Sequence, residues 1–164
     1  MAGISEAINS IMAKVATGTI DFVRVWNNQF QFMEENAIEA FPMPCCFIEV
    51  SGPSESLGLG FTAAELAVRV HIGATEYDSA QGTIGQNLSI FALRDEVKQL
   101  LTYFEATGCS GLQFVNEEQD YTHTNVYHYI MDFKCSHIDD KGDKTVGQTT
   151  GGPPTELELI VSIN

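Results

Sequence analysis

The stretch that most constrains this chain runs from Asn125 to His137 and reads NVYHYIMDFKCSH. Alternate residues from Tyr127 to Cys135 are bulky and mostly apolar, whereas the residues between them are more polar. A period of two predicts a strand that buries one of its faces. Because the stretch exceeds the usual strand length of about five or six residues, we expect it inside a sheet, with Phe133 in the core.

Other segments also show features of strands. The prolines at 42 and 44 favour extended chain, so the strand that follows them is expected to be an edge strand or to start there. The segment 65–73 alternates most regularly, and its second face, with Arg69 and His71, is expected to meet water or a partner. The further predicted strands are 21–30, which ends in a turn at Asn27-Asn28, then 45–50, 65–73, 112–118 and a closing strand at 155–163.

Two amphipathic helices are predicted, at residues 4–17 and 88–106, because apolar residues recur there at helical spacing. Gly18 and Gly108 are the expected stops. The acidic segment 31–40 is expected to be a loop or a short helical turn, and residues 51–64 and 75–87 are expected to be loops. Residues 139–154 have few apolar side chains, which favours a long flexible loop or a hairpin tip.

The order of these elements predicts an α+β fold. We expect residues 1–164 to form a single domain, in which a mixed or antiparallel sheet packs against two main helices. A chain of 164 residues can bury a sizeable core without disulfides or a structural metal. The four cysteines, Cys45, Cys46, Cys109 and Cys135, show no C-x-x-C spacing and are expected to be reduced core thiols.

The charge balance limits the classes of partner. The chain has 22 acidic and 8 basic residues, which gives a formal net charge of −14. Such a chain repels nucleic acid phosphates and anionic lipids, so sequence-reading DNA binding and membrane-surface binding are not expected. An acidic surface does suit a conduit through which DNA slides without adhering. The N-terminal residues show no uninterrupted apolar run, so neither a signal peptide nor a membrane span is expected.

Two short motifs are excluded by their context. Residues 58–63 read GLGFTA and fit the letters of a dinucleotide-binding loop, but that motif requires a helix directly after it. A strand is predicted there instead, so nucleotide binding is not expected. The acidic run DDKGDK at 139–144 lacks the glycine position and the final glutamate of a calcium loop.

A metal site is the alternative raised by His123 and His128, which lie close to Glu117, Glu118 and Asp120. Their odd spacing places the two rings on opposite faces if one strand contains both. We therefore expect His123 in a turn and His128 on the solvent face of the long strand, with no metal ligand among them.

A nucleophile arrangement would combine Cys109 or Cys135 with His137 and Asp139. The sequence shows no nucleophile elbow and no local cysteine-protease signature. We expect no catalytic residue, no cofactor and no enzymatic activity.

Several patterns together resemble the tail terminator proteins of long-tailed bacteriophages. They are the opening helix, the strand VRVWNNQF, the proline-led strand FPMPCCFIEV, the strand ELAVRVHIG, the long helix, and FVNEEQDYTHTNVYHYIMDFKC. The resemblance extends from about Val23 to Asp139. The segment 139–154 departs from the family pattern, which leaves the partner surface of this chain open.

The resemblance implies a structural virion protein without a reaction or a cofactor. It would form a ring, expected to be a hexamer, that caps the tail tube and joins it to the neck of the filled head. Its partners would be copies of itself, the tail tube protein and a neck or head-completion protein, with DNA only as cargo in the lumen. It would be assembled in the host cytoplasm and reside in the virion.

Charged residues on the outer faces and edges of the predicted strands, and in the 139–154 segment, are the candidate interface. They are Glu49, Arg69, His71, Asp139, Lys141, Asp143, Lys144, Glu156 and Glu158. Two alternatives stay open: a head-completion or other neck ring protein, and a small metal-dependent cytosolic enzyme that uses Asp120, His123 and His128.

Overall fold

Six strands form one mixed sheet in the computed structural model of this chain, which describes residues 3–36, 41–58, 61–74, 88–123 and 126–140. Strand β1 pairs with β2 in parallel, and all other pairs are antiparallel. The order across the sheet is β1-β2-β4-β6-β5, with β3 paired to the start of β4. The strands are β1 Phe22–Val25, β2 Cys45–Ser51, β3 Ser54–Gly58, β4 Phe61–Ala74, β5 Gln113–Asp120 and β6 Tyr127–Asp139.

The long predicted strand is β6, and it lies inside the sheet between β4 and β5. Its register with β4 is unbroken from Thr62 opposite Asp139 to Ala74 opposite Tyr127. Tyr129, Met131, Phe133 and Cys135 are buried on one face, as their alternation predicts. The prediction of a half-buried interior strand is confirmed.

The helices in the described ranges are α1 Ile4–Val15, α2 Gln29–Asn36 and α3 Ser89–Leu101. Helices α1 and α3 bury apolar stripes against the first face of the sheet, and this confirms the predicted α+β fold with two main helices. Helix α3 ends at Leu101, before the predicted end at residue 106. The reason is that Tyr103 adopts a left-handed φ of 61° and its N–H donates to the Leu112 carbonyl at 2.7 Å.

The second face of the sheet carries a smaller core at one end. Helix α2 and the turn before it, in which Asn28 has a φ of 57°, bring aromatic side chains across β2. Cys45 lies in this second core and Cys46 in the first, so the adjacent thiols point to opposite faces as predicted. The second core contains Phe30, Cys45, Phe47 and Val126, with Phe22, Trp26, Met33, Phe41 and Met43 packed against it.

All four cysteines are unpaired thiols, which confirms the prediction of reduced cysteines. Cys45, Cys46 and Cys135 are buried, whereas Cys109 is partly exposed.

Two predictions about the strands are wrong. Residues 51–64 are not a loop, because β3 folds back on β4 as a hairpin. The sequence SESLG of β3 is exposed throughout, so it lacks the apolar alternation that would have revealed a strand. Strand β2 is not an edge, because β1 pairs with it from Cys45 to Ile48. The prolines do mark the start of that strand.

The predicted loop at 75–87, the 141–154 part of the predicted flexible segment and the closing strand at 155–163 lie outside the described residues. Among the helices of the described ranges, none is long and apolar enough to cross a membrane.

Replacing Phe133 tests the core. Its ring is 1% exposed and meets Phe114 edge to face, with the ring centroids 5.7 Å apart. We expect Phe133→Ala to lower the free energy of unfolding by about 3–5 kcal/mol, measured by urea denaturation. Val115→Ala, at a side chain 55% exposed on the neighbouring strand, should change it by less than about 0.5 kcal/mol. A loss below about 1 kcal/mol for Phe133→Ala would contradict this packing.

Candidate functional site

A cavity of about 580 Å³ opens on the second face of the sheet, next to the aromatic core. Three histidines and several carboxylates line it, together with Trp26 and Arg69. The titratable side chains at the cavity are Glu34, Glu35, Glu49, Arg69, His71, Asp120, His123 and His128. They come from β2, β4, β5, β6, α2 and the connection between β5 and β6.

The pairing of β4 with β6 places two of the histidines together. His71 is opposite Ile130 and Gly73 is opposite His128, so the two histidines are diagonal neighbours on one face. The Nδ1 atom of His71 lies 2.9 Å from the Nε2 atom of His128. Both side chains are buried, at 3% and 2% exposure.

A carboxylate lies at each end of this histidine pair. The Nε2 atom of His71 is 3.2 Å from an oxygen of Glu49, and the Nδ1 atom of His128 is 3.1 Å from Oδ2 of Asp120. The other oxygen of Asp120 accepts the backbone N–H of Thr122 at 2.8 Å, which fixes the carboxylate. The result is a continuous line of four side chains, Glu49–His71–His128–Asp120.

The third histidine approaches the same carboxylate from the connection after β5. The Nε2 atom of His123 is 3.8 Å from Oδ2 of Asp120, and its Nδ1 atom is 3.2 Å from an oxygen of Glu34 on α2. Asp120, His123 and His128 each offer a ligand atom, and these three atoms lie within 4.8 Å of one another. This is the arrangement of side chains from which metal sites are built.

Aromatic rings hold the imidazoles in place. Trp26 stacks on His71, with centroids 3.9 Å apart and planes 7° from parallel, and Phe30 meets His128 edge to face at 4.7 Å. Phe30 occupies the space that a side chain at Gly73 would fill, because a Cβ there would lie 2.5 Å from its ring. Packing against Trp26 and Phe30 therefore fixes the orientation of both imidazole rings.

The line of four side chains has one proton too few when both imidazoles are neutral. It contains three polar contacts, at 3.2, 2.9 and 3.1 Å. A neutral imidazole has one ring N–H, and an ionised carboxylate has none. Two N–H groups cannot satisfy three contacts, so one contact needs an additional proton or cation.

Burial opposes that additional proton. It lowers the pKa of His71, against the influence of Glu49, and it lowers the pKa of His128 to about 4. Burial acts to raise the pKa of Asp120, but the hydrogen bonds from Thr122 and the nearby His128 and His123 together outweigh it, so the pKa of this carboxyl lies below its ordinary value. At neutral pH these two buried imidazoles are neutral and Asp120 is charged.

The remainder of the second face forms a separate feature, which we call the open face. Here β4 and β6 are interior strands, yet their outward side chains are exposed. Arg69 donates to Asp132 through Nε at 2.8 Å and a terminal nitrogen at 3.2 Å. The open face consists of Glu65, Ala67 and Arg69 of β4 with Lys134, Ser136 and Ile138 of β6.

The predicted interface residues have different locations. Arg69 is on the open face, Glu49 is half-exposed between that face and the cavity, and Asp139 ends β6. The prediction that His71 faces water or a partner is wrong, because Trp26 covers it. The other predicted interface residues, Lys141, Asp143, Lys144, Glu156 and Glu158, lie outside the described residues.

The predictions for the other histidines are partly right. His123 lies in the connection between β5 and β6, as expected. The expectation that His128 faces solvent is wrong, because the second core covers that end of the strand. The odd spacing of His123 and His128 does not place their rings on opposite faces, because the two histidines do not lie on one strand. The chain turns between them, and their ring centroids are 5.2 Å apart.

The predicted nucleophile arrangement is brought together in part, because an antiparallel bridge places Cys109 opposite His137 on β6. The thiol of Cys109 interacts with that of Cys135, which lowers the pKa of Cys109 and raises the pKa of Cys135. His137 is buried, and its Nε2 atom has no hydrogen-bond partner in the described part of the chain. In the described part of the chain, Nε2 of His137 therefore makes no hydrogen bond that would activate a cysteine thiol.

Comparison with known proteins gave no match for this chain, either among protein-family models or among curated sequences.

The buried histidines predict a pH dependence of stability in the metal-free protein. His128 has a folded-state pKa of about 4, below the unfolded value of about 6.5, so the unfolded chain binds more protons between these pH values. The groups that face it are His71, Asp120 and His123. We expect the free energy of unfolding to be constant just above pH 6.5 and to fall by roughly 2–3 kcal/mol as the pH drops towards 4.

Urea denaturation in the presence of a chelator, at intervals of half a pH unit, measures this slope. His128→Gln should be less stable at pH 7 but should show a shallower slope below pH 6.5, because the titrating group is gone. Glu55→Gln, at an exposed site on β3, is the control and should retain the slope. An unchanged slope in His128→Gln would contradict the assignment.

Proposed function

We propose that this protein is a structural subunit of a bacteriophage tail, a tail terminator that forms a ring on the tail tube and joins it to the neck. The single observation that carries the proposal is the open face. It lies on two interior strands of the sheet and is exposed, whereas the second core covers the other end of the same face.

The chemistry of the open face suits contact with a second protein. It combines the Arg69–Asp132 ion pair with the cation of Lys134 and the exposed apolar side chain of Ile138. An exposed apolar residue with polar and charged residues around it matches the apolar centre and polar rim of protein interfaces. In a ring each copy uses two different patches, and the open face would be one of them.

A free strand edge lies next to this face. Strand β3 pairs only with β4 among the described strands, and all five of its residues are exposed. Leu57 on β3 is 60% exposed, and Ile138 on β6 is 54% exposed. An exposed edge with apolar side chains is prone to pair with another chain, which a ring contact would satisfy.

The net charge of −14 supports the same role. Repeated around a ring, it would line the lumen with negative potential and let DNA pass without adhering. The α+β fold with a mixed sheet is also the one that the resemblance to tail terminators implies. A head-completion or other neck ring protein remains the alternative within this class, because the same surfaces would serve either position.

The cavity favours a second candidate from another class, a small metal-dependent enzyme. The specific observation is the convergence of Asp120, His123 and His128, together with room for a small molecule beside them. We place it second because the open face and the strand edge have no role in such an enzyme.

We expect the chain of 164 residues to form closed rings. Light scattering should give the mass of a hexamer of the 18.0 kDa chain, and negative-stain images should show a central hole. If the protein stays monomeric at all concentrations, and also when tail tubes of the same phage are added, the proposal is wrong. A monomer with metal-dependent turnover would favour the enzyme.

A matched pair of variants tests the open face. Ile138→Glu adds a carboxylate in the proposed contact, and we expect it to weaken ring formation at least tenfold in concentration, because the new charge would be desolvated. Ala13→Glu adds the same group at an exposed site on α1, on the helix-covered side, and should assemble normally. Equal assembly of both variants would remove the open face from the interface.

A further inference from the structure

We propose that Asp120, His123 and His128 bind one Zn²⁺ ion in the cavity on the second face of the sheet. These side chains are not part of the open face, so the zinc site and the proposed role in a ring can be tested independently. The argument rests on the positions of the ligand atoms, on their supporting partners and on the count of ring protons.

The ligand atoms lie close to the spacing that zinc requires. Tetrahedral Zn²⁺ with bonds of about 2.0–2.1 Å holds its ligand atoms about 3.3 Å apart. In the structure, Oδ2 of Asp120 is 3.1 Å from Nδ1 of His128 and 3.8 Å from Nε2 of His123. Each of the three residues offers a ligand atom within 4.8 Å of those of the other two, so small side-chain rotations would bring them into coordination range.

Both histidines already have the supporting partner that a metal ligand needs. A ligating histidine almost always donates its other ring N–H to a second group, which fixes its tautomer and orientation. The Nδ1 atom of His123 lies 3.2 Å from Glu34, and the Nε2 atom of His128 lies 2.9 Å from Nδ1 of His71. His71 can in turn donate from Nε2 to Glu49 at 3.2 Å.

A bound cation would also supply the positive charge that is missing from the line Glu49–His71–His128–Asp120. With both imidazoles neutral, His128 donates to His71 and His71 donates to Glu49, so both ring protons are used. In the contact between Nδ1 of His128 and Asp120, the lone pair of the nitrogen then faces a carboxylate oxygen with no proton between them. A divalent ion between these two atoms converts a repulsive contact into two coordination bonds.

The donor set selects the metal. Two imidazole nitrogens and one carboxylate oxygen suit Zn²⁺, whereas Mg²⁺ and Ca²⁺ prefer sites made of oxygen. Three protein ligands leave a fourth position for water or for a small anion. An entry path exists, because the side chains of Asp120 and Glu34 are 24% and 21% exposed.

The test is zinc binding by the chain of 164 residues after treatment with a chelator. ZnCl₂ is titrated in competition with a chromophoric chelator, and elemental analysis counts the metal retained after dialysis. We expect one equivalent of zinc per chain. Replacement by Co²⁺ should give the visible absorption of a tetrahedral ion bound by nitrogen and oxygen, which reports the coordination directly.

Four variants locate the ion. Asp120→Asn and His123→Gln should each lower the affinity for zinc at least a hundredfold, because each removes a ligand. Glu34→Gln should lower it by roughly 10–100-fold through loss of a supporting partner. Glu118→Gln is the control, since this exposed carboxylate lies two residues before Asp120 and should bind zinc as the unaltered protein does. Circular dichroism checks that every variant is folded.

Three results would overturn the proposal. One is a protein that retains no zinc at micromolar free metal. Another is equal affinity in Asp120→Asn, His123→Gln and the unaltered chain, which would place the ion elsewhere, for example on the acidic run at 139–144. The third is preference for Mg²⁺ or Ca²⁺ over Zn²⁺, which would contradict the assigned nitrogen ligands.

Discussion

The pairing of β4 with β6 is the interaction on which the rest of the structure depends. Its ladder is continuous from Thr62 opposite Asp139 to Ala74 opposite Tyr127, and it joins parts of the chain more than 50 residues apart. Helix α3 packs on one face of this pair, and helix α1 packs beside it on the same face of the sheet, against β1 and β2. Because side chains alternate strictly along a strand, the same register fixes every residue on the other face, including both histidines of the cavity.

The alternation of β4 and β6 made much of this fold predictable. The apolar sets around Val68 and Phe133 face the helices as expected, and Arg69 faces outward. The hairpin of β3 was missed because its five residues are all exposed and have no apolar period. Because β3 buries no side chains, only its pairing with β4 makes it a strand. The amino-acid sequence of β3 gives little indication of this pairing.

The histidine cavity was harder to predict, for a different reason. Alternation correctly placed His71 and His128 on the face opposite the main core, but it could not show that this face is covered at one end. A signal did exist in the aromatic residues Phe22, Trp26 and Phe30, which lie around the predicted turn and indicate a second core. His71 and Glu49 become neighbours only through the pairing of β2 with β4, which depends on the whole sheet.

The two halves of the second face therefore have different physical roles. At one end the aromatic core excludes water, so polar groups there must find partners within the protein or bind a cation. At the other end Arg69 and Lys134 are solvated, so their charges need no partner within the protein. Glu49 lies where these regions meet, since it contacts His71 and is opposite Arg69 in the ladder. The charge of this one carboxylate therefore acts both on His71 in the cavity and on Arg69 of the open face.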